Sequence, residues 1–73
     1  MTKRHFANFA ALIRAQHEQA DQRTEPARTE MIHGCRFAAL AFDAVARADN
    51  PRFDRARFFT ACGLPDLAAR ARE

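Results

Sequence analysis

Apolar residues recur at intervals of three and four along the first twenty positions of the chain. This spacing places them on one face of an amphipathic helix. We predict a first helix from about Lys3 to Ala20, with Thr2 as its N-cap because a hydroxyl can accept from a free amide of the first turn. The residues on the predicted buried face are Phe6, Phe9, Ala10, Ile13, His17 and Ala20.

A second apolar pattern follows the polar segment Asp21 to Thr24 and continues for more than five helical turns. Pro26 can open this helix, since its missing N–H would be unpaired there, and Thr24 or Glu25 would cap it. We place its end near Ala48. The apolar stripe consists of Met31, Cys35, Ala38, Phe42 and Val45, widened by Phe37 and Ala41. Such breadth predicts a central helix with neighbours on two sides.

One residue inside the second helix goes against helix propensity. Gly34 costs about 1 kcal/mol relative to alanine at a mid-helix position. A glycine there permits another backbone to come near. The sequence therefore predicts a close approach of the first helix at Gly34.

A third helix is marked at its start by Asn50-Pro51, which ends the helix before it. Asp54 is a suitable N-cap for the third helix. Phe53 before the cap and Phe58 at the fourth helical position have the spacing of a hydrophobic staple. These signals predict a helix that begins immediately after Asp54.

The end of the third helix is predicted from Gly63, which fits the left-handed position after a helix. Leu64 can then fold back on Phe59 in a Schellman arrangement, and Pro65 stops the helix. The segment Asp66 to Arg72 is either a short last helix or a frayed tail, and the helix is slightly favoured. The sequence thus predicts an all-α fold, a compact bundle of three helices with the tail as a short fourth, forming a single domain over residues 1–73.

Composition supports a helical fold and limits its stability. The chain has 73 residues, with seven phenylalanines and no tyrosine or tryptophan. Alanine favours helix, and strand-forming residues are scarce. A chain this short buries only about 60% of its unfolded surface, so such domains often depend on a disulfide, a metal or a partner.

The chain shows no arrangement of residues that predicts catalysis, a metal site or a cofactor. Cys35 and Cys62 form no CxxC pair and are interpreted as small buried hydrophobic residues. His33 and Cys35 are two positions apart, so they point to different faces of a helix and cannot chelate together. The sequence contains no serine and no glycine-rich phosphate loop. We expect a protein that is not an enzyme and acts by binding.

The termini and the apolar patterns give an expectation about location. No apolar run follows Lys3 and Arg4, because Asn8, Arg14 and Gln16 interrupt it. Neither a signal peptide nor a membrane span is predicted. We therefore expect a cytoplasmic protein without membrane contact.

Positive charge is the feature that suggests nucleic acid. The net charge is +3, with an isoelectric point near 9.7. Arginines cluster around the start of the third helix and in the tail, where they could form one basic patch and contact phosphates. A helix-turn-helix is disfavoured, because the second helix is too long for its first helix. The arginines concerned are Arg47, Arg52, Arg55, Arg57, Arg70 and Arg72.

An apolar residue on a polar face suggests instead a protein partner. Leu40 lies on the predicted polar side of the second helix, among Arg36, His33, Asp43 and Arg47. No group is expected to desolvate the carboxylate of Asp43 there. Ile32 borders the same region. Apolar surface on so small a protein is typical of a contact with another chain. The candidate partner-binding residues are Arg36, Leu40, Arg47, Arg52, Arg55 and Arg57.

The segment from Asp49 to Leu64, DNPRFDRARFFTACGL, resembles the closing motif of a group of short uncharacterised proteins encoded by phages and mobile elements of GC-rich bacteria. Members of this group also tend to open with Met-Thr-Lys-Arg-His-Phe. The motif carries no known catalytic residues. The resemblance implies a mobile-element context, in which small proteins are often inhibitors of host defence, including anti-CRISPR proteins, or small regulators.

Two functions are therefore expected from the sequence. The first is a non-enzymatic inhibitor or adaptor that binds the surface of a host protein or nucleoprotein complex. The alternative is a small basic regulator that binds nucleic acid through the arginine cluster. Both a monomer and a weak homodimer through the second helix are compatible with the small core.

Overall fold

The computed structural model describes residues 2–73, and every element in this range is a helix. The order is α1 (Lys3–Asp21), α2 (Ala27–Asp49), α3 (Arg55–Ala61) and α4 (Pro65–Ala71). The predicted all-α class is confirmed, and the tail forms the fourth helix. No helix within residues 2–73 is both long enough and apolar enough to cross a bilayer.

Thr2 and His5 cap the start of α1 through two reciprocal hydrogen bonds. The hydroxyl of Thr2 accepts from the backbone amide of His5, as predicted. The ring Nδ1 of His5 in turn accepts from the backbone amide of Thr2 at 3.2 Å. This reciprocal arrangement is a capping box with histidine in the place of glutamate, and the sequence pattern did not indicate it.

The start of α2 differs by one residue from the prediction. Pro26 occupies the N-cap position itself, and its side chain has nothing to donate or accept. Glu25 takes over the capping, because its carboxylate accepts from the backbone amide of Thr29 at 3.1 Å and from the Thr29 hydroxyl. The helix ends at Asp49, where Asn50-Pro51 was expected to stop it.

The two ends of α3 confirm the predicted signals. Asp54 Oδ1 accepts from the backbone amide of Arg57 at 3.0 Å, and the rings of Phe53 and Phe58 lie 5.6 Å apart. At the other end Gly63 has a φ of +78°, and the amide of Leu64 donates to the carbonyl of Phe59 at 3.0 Å. This bond is the long-range hydrogen bond of a Schellman motif.

The core lies where α1 meets α2 on one side and the α3–α4 pair on the other. Aromatic rings pack along one edge of the core: the Phe42 ring stacks on Phe9 at 4.3 Å and on Phe58 at 5.1 Å. Phe6 meets Phe42 edge-on at 5.7 Å. The buried residues of the core cluster are Ala10, Ile13, Cys35, Ala39, Phe58, Phe59, Cys62, Leu64, Leu67 and Ala68.

α2 has two neighbours, as predicted, but they do not bury the whole breadth of its apolar stripe. α2 packs mainly against α1 and makes only a small contact with α3, so the side of α2 away from these helices stays uncovered. The covered side carries Cys35, Ala39, Asp43 and Ala46 rather than the whole predicted stripe. The residues of the predicted stripe that face away are Phe37, Ala41 and Val45, all of which are exposed. Periodicity identifies apolar positions, but the number of helices available decides which of them are buried.

The predicted close approach at Gly34 is wrong. A Cβ built on Gly34 would meet no atom within 4 Å. Replacement of Gly34 by alanine should therefore raise the free energy of unfolding by about 1 kcal/mol, because only the helix propensity changes. Thermal or urea unfolding followed by circular dichroism measures this.

Gly63→Ala serves as the contrasting variant, because its positive φ makes any side chain strained. It should lower stability by about 1–2 kcal/mol. A destabilising Gly34→Ala would mean that another chain segment packs on Gly34.

Candidate functional site

Asp43 is the one charged residue that is buried in the part of the chain that the structure describes, with 1% of its surface exposed. The two carboxylate oxygens of Asp43 accept from the Arg55 Nε at 3.0 and 3.2 Å. Arg47 Nε, one turn further along α2, lies 3.3 Å from Oδ2. A buried carboxylate is strongly destabilising without such partners. These two arginines therefore have a structural task that the sequence did not show.

The candidate partner-binding residue Arg55 is only partly exposed and is held by Asp43. The expectation that no group desolvates the Asp43 carboxylate is wrong. The N-cap at Asp54 starts α3 so that Arg55 is its first residue, directed at the side of α2. Its guanidinium bridges the two helices through Asp43. The spacing of twelve residues between them gives no periodic signal, so only the docking of α3 on α2 brings them together.

Arg36 is also tied to a carboxylate of its own chain. It makes a two-pronged contact with Asp66 of α4, with N–O distances of 3.1 and 2.6 Å. The hydrogen bond to Arg36 lowers the pKa of Asp66 and raises that of Arg36. Arg36 thus links the middle of α2 to the start of α4.

An apolar surface covers the side of α2 opposite the core, and we call it the outer face of α2. Phe37 is 75% exposed, Val45 60% and Leu40 44%. Leu40 lies three residues and Val45 eight residues after Phe37, so both are on the same side of the helix as Phe37. Together with the exposed alanines between and beyond them, the outer face consists of Phe37, Leu40, Ala41, Ala44, Val45 and Ala48. The exposure of Leu40 agrees with the prediction, whereas Phe37 and Val45 were expected to be buried.

A second surface is the cleft between the start of α1 and α3, which we call the α1–α3 cleft. Its volume is about 370 Å³. The apolar residues that line it are Phe6, Ala7, Ala10, Phe53, Phe58 and Ala61. Its polar lining residues are Lys3, Asn50, Arg52, Asp54 and Arg57.

The structure separates the arginines that were expected to form a single basic patch. Arg52 and Arg57 line the α1–α3 cleft and are exposed. Arg47 and Arg55 bind Asp43 on the other side of α3. Lys3 joins the cleft from the first turn of α1, and no local pattern in the sequence groups it with Arg52 and Arg57.

Both thiols and one of the histidines are at least partly buried. Cys35 and Cys62 are buried free thiols, and burial raises the pKa of Cys62 to about 12. Burial also raises the pKa of Cys35, so both thiols are protonated near neutral pH. His17 is half-buried on α1, with its Nδ1 3.8 Å from Asp21. Within residues 2–73 no three His, Cys, Asp or Glu side chains are grouped so that they could hold a metal ion.

Comparisons with protein-family models, with curated proteins and with solved structures give no match to this chain. The outer face of α2 and the α1–α3 cleft are therefore interpreted from their own chemistry.

Proposed function

We propose that this protein is a non-enzymatic interaction protein that binds another protein through the outer face of α2. The observation that supports this most directly is the exposure of Phe37, Leu40 and Val45 on one side of one helix. Large apolar side chains exposed singly are ordinary, but a contiguous set is typical of a contact surface. Burial of this set against a partner would remove it from water.

The edge of the outer face suits a protein partner as well. Protein interfaces combine an apolar centre with a polar rim, and arginine is enriched in them. Arg36 and Arg47 border the outer face, and each is already held by a carboxylate of this chain. Because their side chains are partly ordered before binding, they lose less conformational entropy when a partner covers them.

The class of partner that we propose is a host defence complex, which the protein would inhibit by occupying one of its surfaces, in the manner of anti-CRISPR proteins. The resemblance of the segment Asp49 to Leu64 to proteins of mobile elements supports this. The chain is large enough to form such an interface, because a stable interface buries about 800 Å² of accessible surface on each partner. The described chain has 5241 Å² of accessible surface.

We expect Phe37→Ser/Val45→Ser to lose the bound partner. The tagged protein is incubated with lysate of a bacterial host at gentle salt, and the retained proteins are identified and quantified. Both replacements lie on exposed positions, so circular dichroism should show an unchanged helix content. A partner held by the outer face should fall by at least about tenfold, which corresponds to about 1.4 kcal/mol.

Leu12→Ser is the matched control for these replacements, because Leu12 is 65% exposed on α1 and lies outside the outer face. It should retain the partner. Equal loss in the control, or no retained protein at all, would contradict the proposal. The protein could instead retain nucleic acid, and its affinity for a random duplex could fall steeply as the salt concentration rises. Those two results would favour the alternative, a small basic regulator that binds nucleic acid.

Self-association through the same face is tested in parallel by light scattering. A weak homodimer would show a mass that rises with concentration in the parent and stays constant in Phe37→Ser/Val45→Ser. A constant mass in both would leave the outer face free for a different protein.

A further inference from the structure

The α1–α3 cleft differs from the outer face of α2 in being concave and charged at its opening. Phe6 and Phe53 are half-buried in its wall, and their ring centroids are 4.7 Å apart. Ala7 and Ala61 are small, which leaves room between the two helices. The volume of about 370 Å³ lies at the lower end of the range of about 300–1,000 Å³ for ligand sites. A space of this size suits one bulky side chain better than a large cofactor.

Three cations and one carboxylate line the cleft, so the lining carries a net positive charge. Among the residues that the structure describes, neither Lys3, Arg52 nor Arg57 forms an ion pair. Asp54 supplies the one carboxylate of the lining, and its Oδ1 accepts from the backbone amide of Arg57. Arg36, Arg47 and Arg55, by contrast, each have an acidic partner within the chain.

We propose that the α1–α3 cleft binds an acidic peptide segment of another protein. One bulky apolar side chain of the segment enters between Phe6, Phe53 and Phe58. Carboxylates on either side of it pair with Lys3, Arg52 and Arg57. The charge of the opening supplies the complementarity, and the apolar lining supplies the anchor, as at the centre of many interfaces. This site is separate from the outer face of α2 and does not depend on it.

The aromatic packing favours a peptide over single-stranded nucleic acid. Bases bind on aromatic rings that present a free face for stacking. The Phe6 and Phe53 rings instead pack against each other at 51°, and each also contacts a deeper ring: Phe6 meets Phe42, and Phe53 meets Phe58. The three cations lie around one opening, whereas a strand of nucleic acid needs them along a track. An apolar side chain fits such a cleft better than a base does.

The test uses the full chain and a dye-labelled peptide, Glu-Glu-Leu-Glu-Glu, followed by fluorescence anisotropy at low salt. The same peptide with glycine in place of leucine should bind about tenfold more weakly, because it lacks the anchor. Arg52→Ala/Arg57→Ala should weaken binding of the leucine peptide by about tenfold or more. Ala7→Leu, which fills the cleft from an exposed position of α1, should abolish the difference between the two peptides.

The matched control is Arg23→Ala/Arg72→Ala, which removes the same charge from exposed positions outside the cleft. It should change the affinity by less than about twofold, as expected for distant surface charges. Equal weakening in the control, equal affinity for the two peptides, or no binding of either peptide would overturn the proposal. Tighter binding of a thymidine oligonucleotide that Ala7→Leu also blocks would overturn it in favour of nucleic acid.

Discussion

Phe58→Ala is expected to unfold the protein. Phe58 is 4% exposed, and its ring contacts those of Phe42, Phe53 and Phe59 at 5.1 to 5.6 Å. Removal of a buried phenylalanine costs about 3–5 kcal/mol. Small domains have about 5 kcal/mol or less to lose, so the variant should show little helix in circular dichroism at room temperature.

Phe37→Ala makes the same chemical change on the exposed side of α2. It should alter the free energy of unfolding by less than about 0.5 kcal/mol, because Phe37 is already 75% exposed to water in the folded protein. If Phe58→Ala melts like the parent, α3 is not packed on α1 and α2 as described. The α1–α3 cleft would then lose one of its walls.

Arg55→Ala is expected to destabilise the protein by about 2–3 kcal/mol. It removes the closer partner of Asp43, which is buried between α2 and α3, and leaves only Arg47 beside it. Breaking a buried ion pair from one side costs about 3–5 kcal/mol in general. We expect less here because Arg55 is partly exposed and Arg47 remains. Urea unfolding monitored by circular dichroism gives the value.

Arg57→Ala is the control on the same helix, because Arg57 has no carboxylate partner among the residues described. It should change stability by less than about 0.5 kcal/mol. The double variant Arg47→Ala/Arg55→Ala leaves Asp43 without a partner and should reach the full 3–5 kcal/mol, roughly. Equal unfolding curves for Arg55→Ala and Arg57→Ala would show that Asp43 is hydrated rather than buried.

These stability results bear on how binding experiments are interpreted. Arg55 was a candidate partner-binding residue, but its contact with Asp43 means that a loss of binding in Arg55→Ala reports unfolding as well as contact. The same holds for Arg36, which anchors α4 through Asp66. Arg52 and Arg57 carry no such structural bond, so their replacement tests binding more directly.

The sequence by itself determined the local structure of this protein. Thr2, Asp54 and Gly63 end or begin helices through hydrogen bonds and backbone angles that involve residues at most a few positions away. Their effects are therefore visible in a single sequence. The same is true of the staple between Phe53 and Phe58 and of the short α4.

Only the tertiary structure decided which faces are buried and which charges are free. The apolar pattern of α2 is wide enough for two neighbours, but the short α3 and α4 cover only a small part of it, so Phe37 and Val45 stay exposed. The burial of Asp43 and its pairing with Arg55 depend on how α3 docks, as does the grouping of Lys3 with Arg52 and Arg57. These contacts join residues that are far apart in the chain, so neither local hydrogen bonds nor the periodicity of apolar residues predicts them.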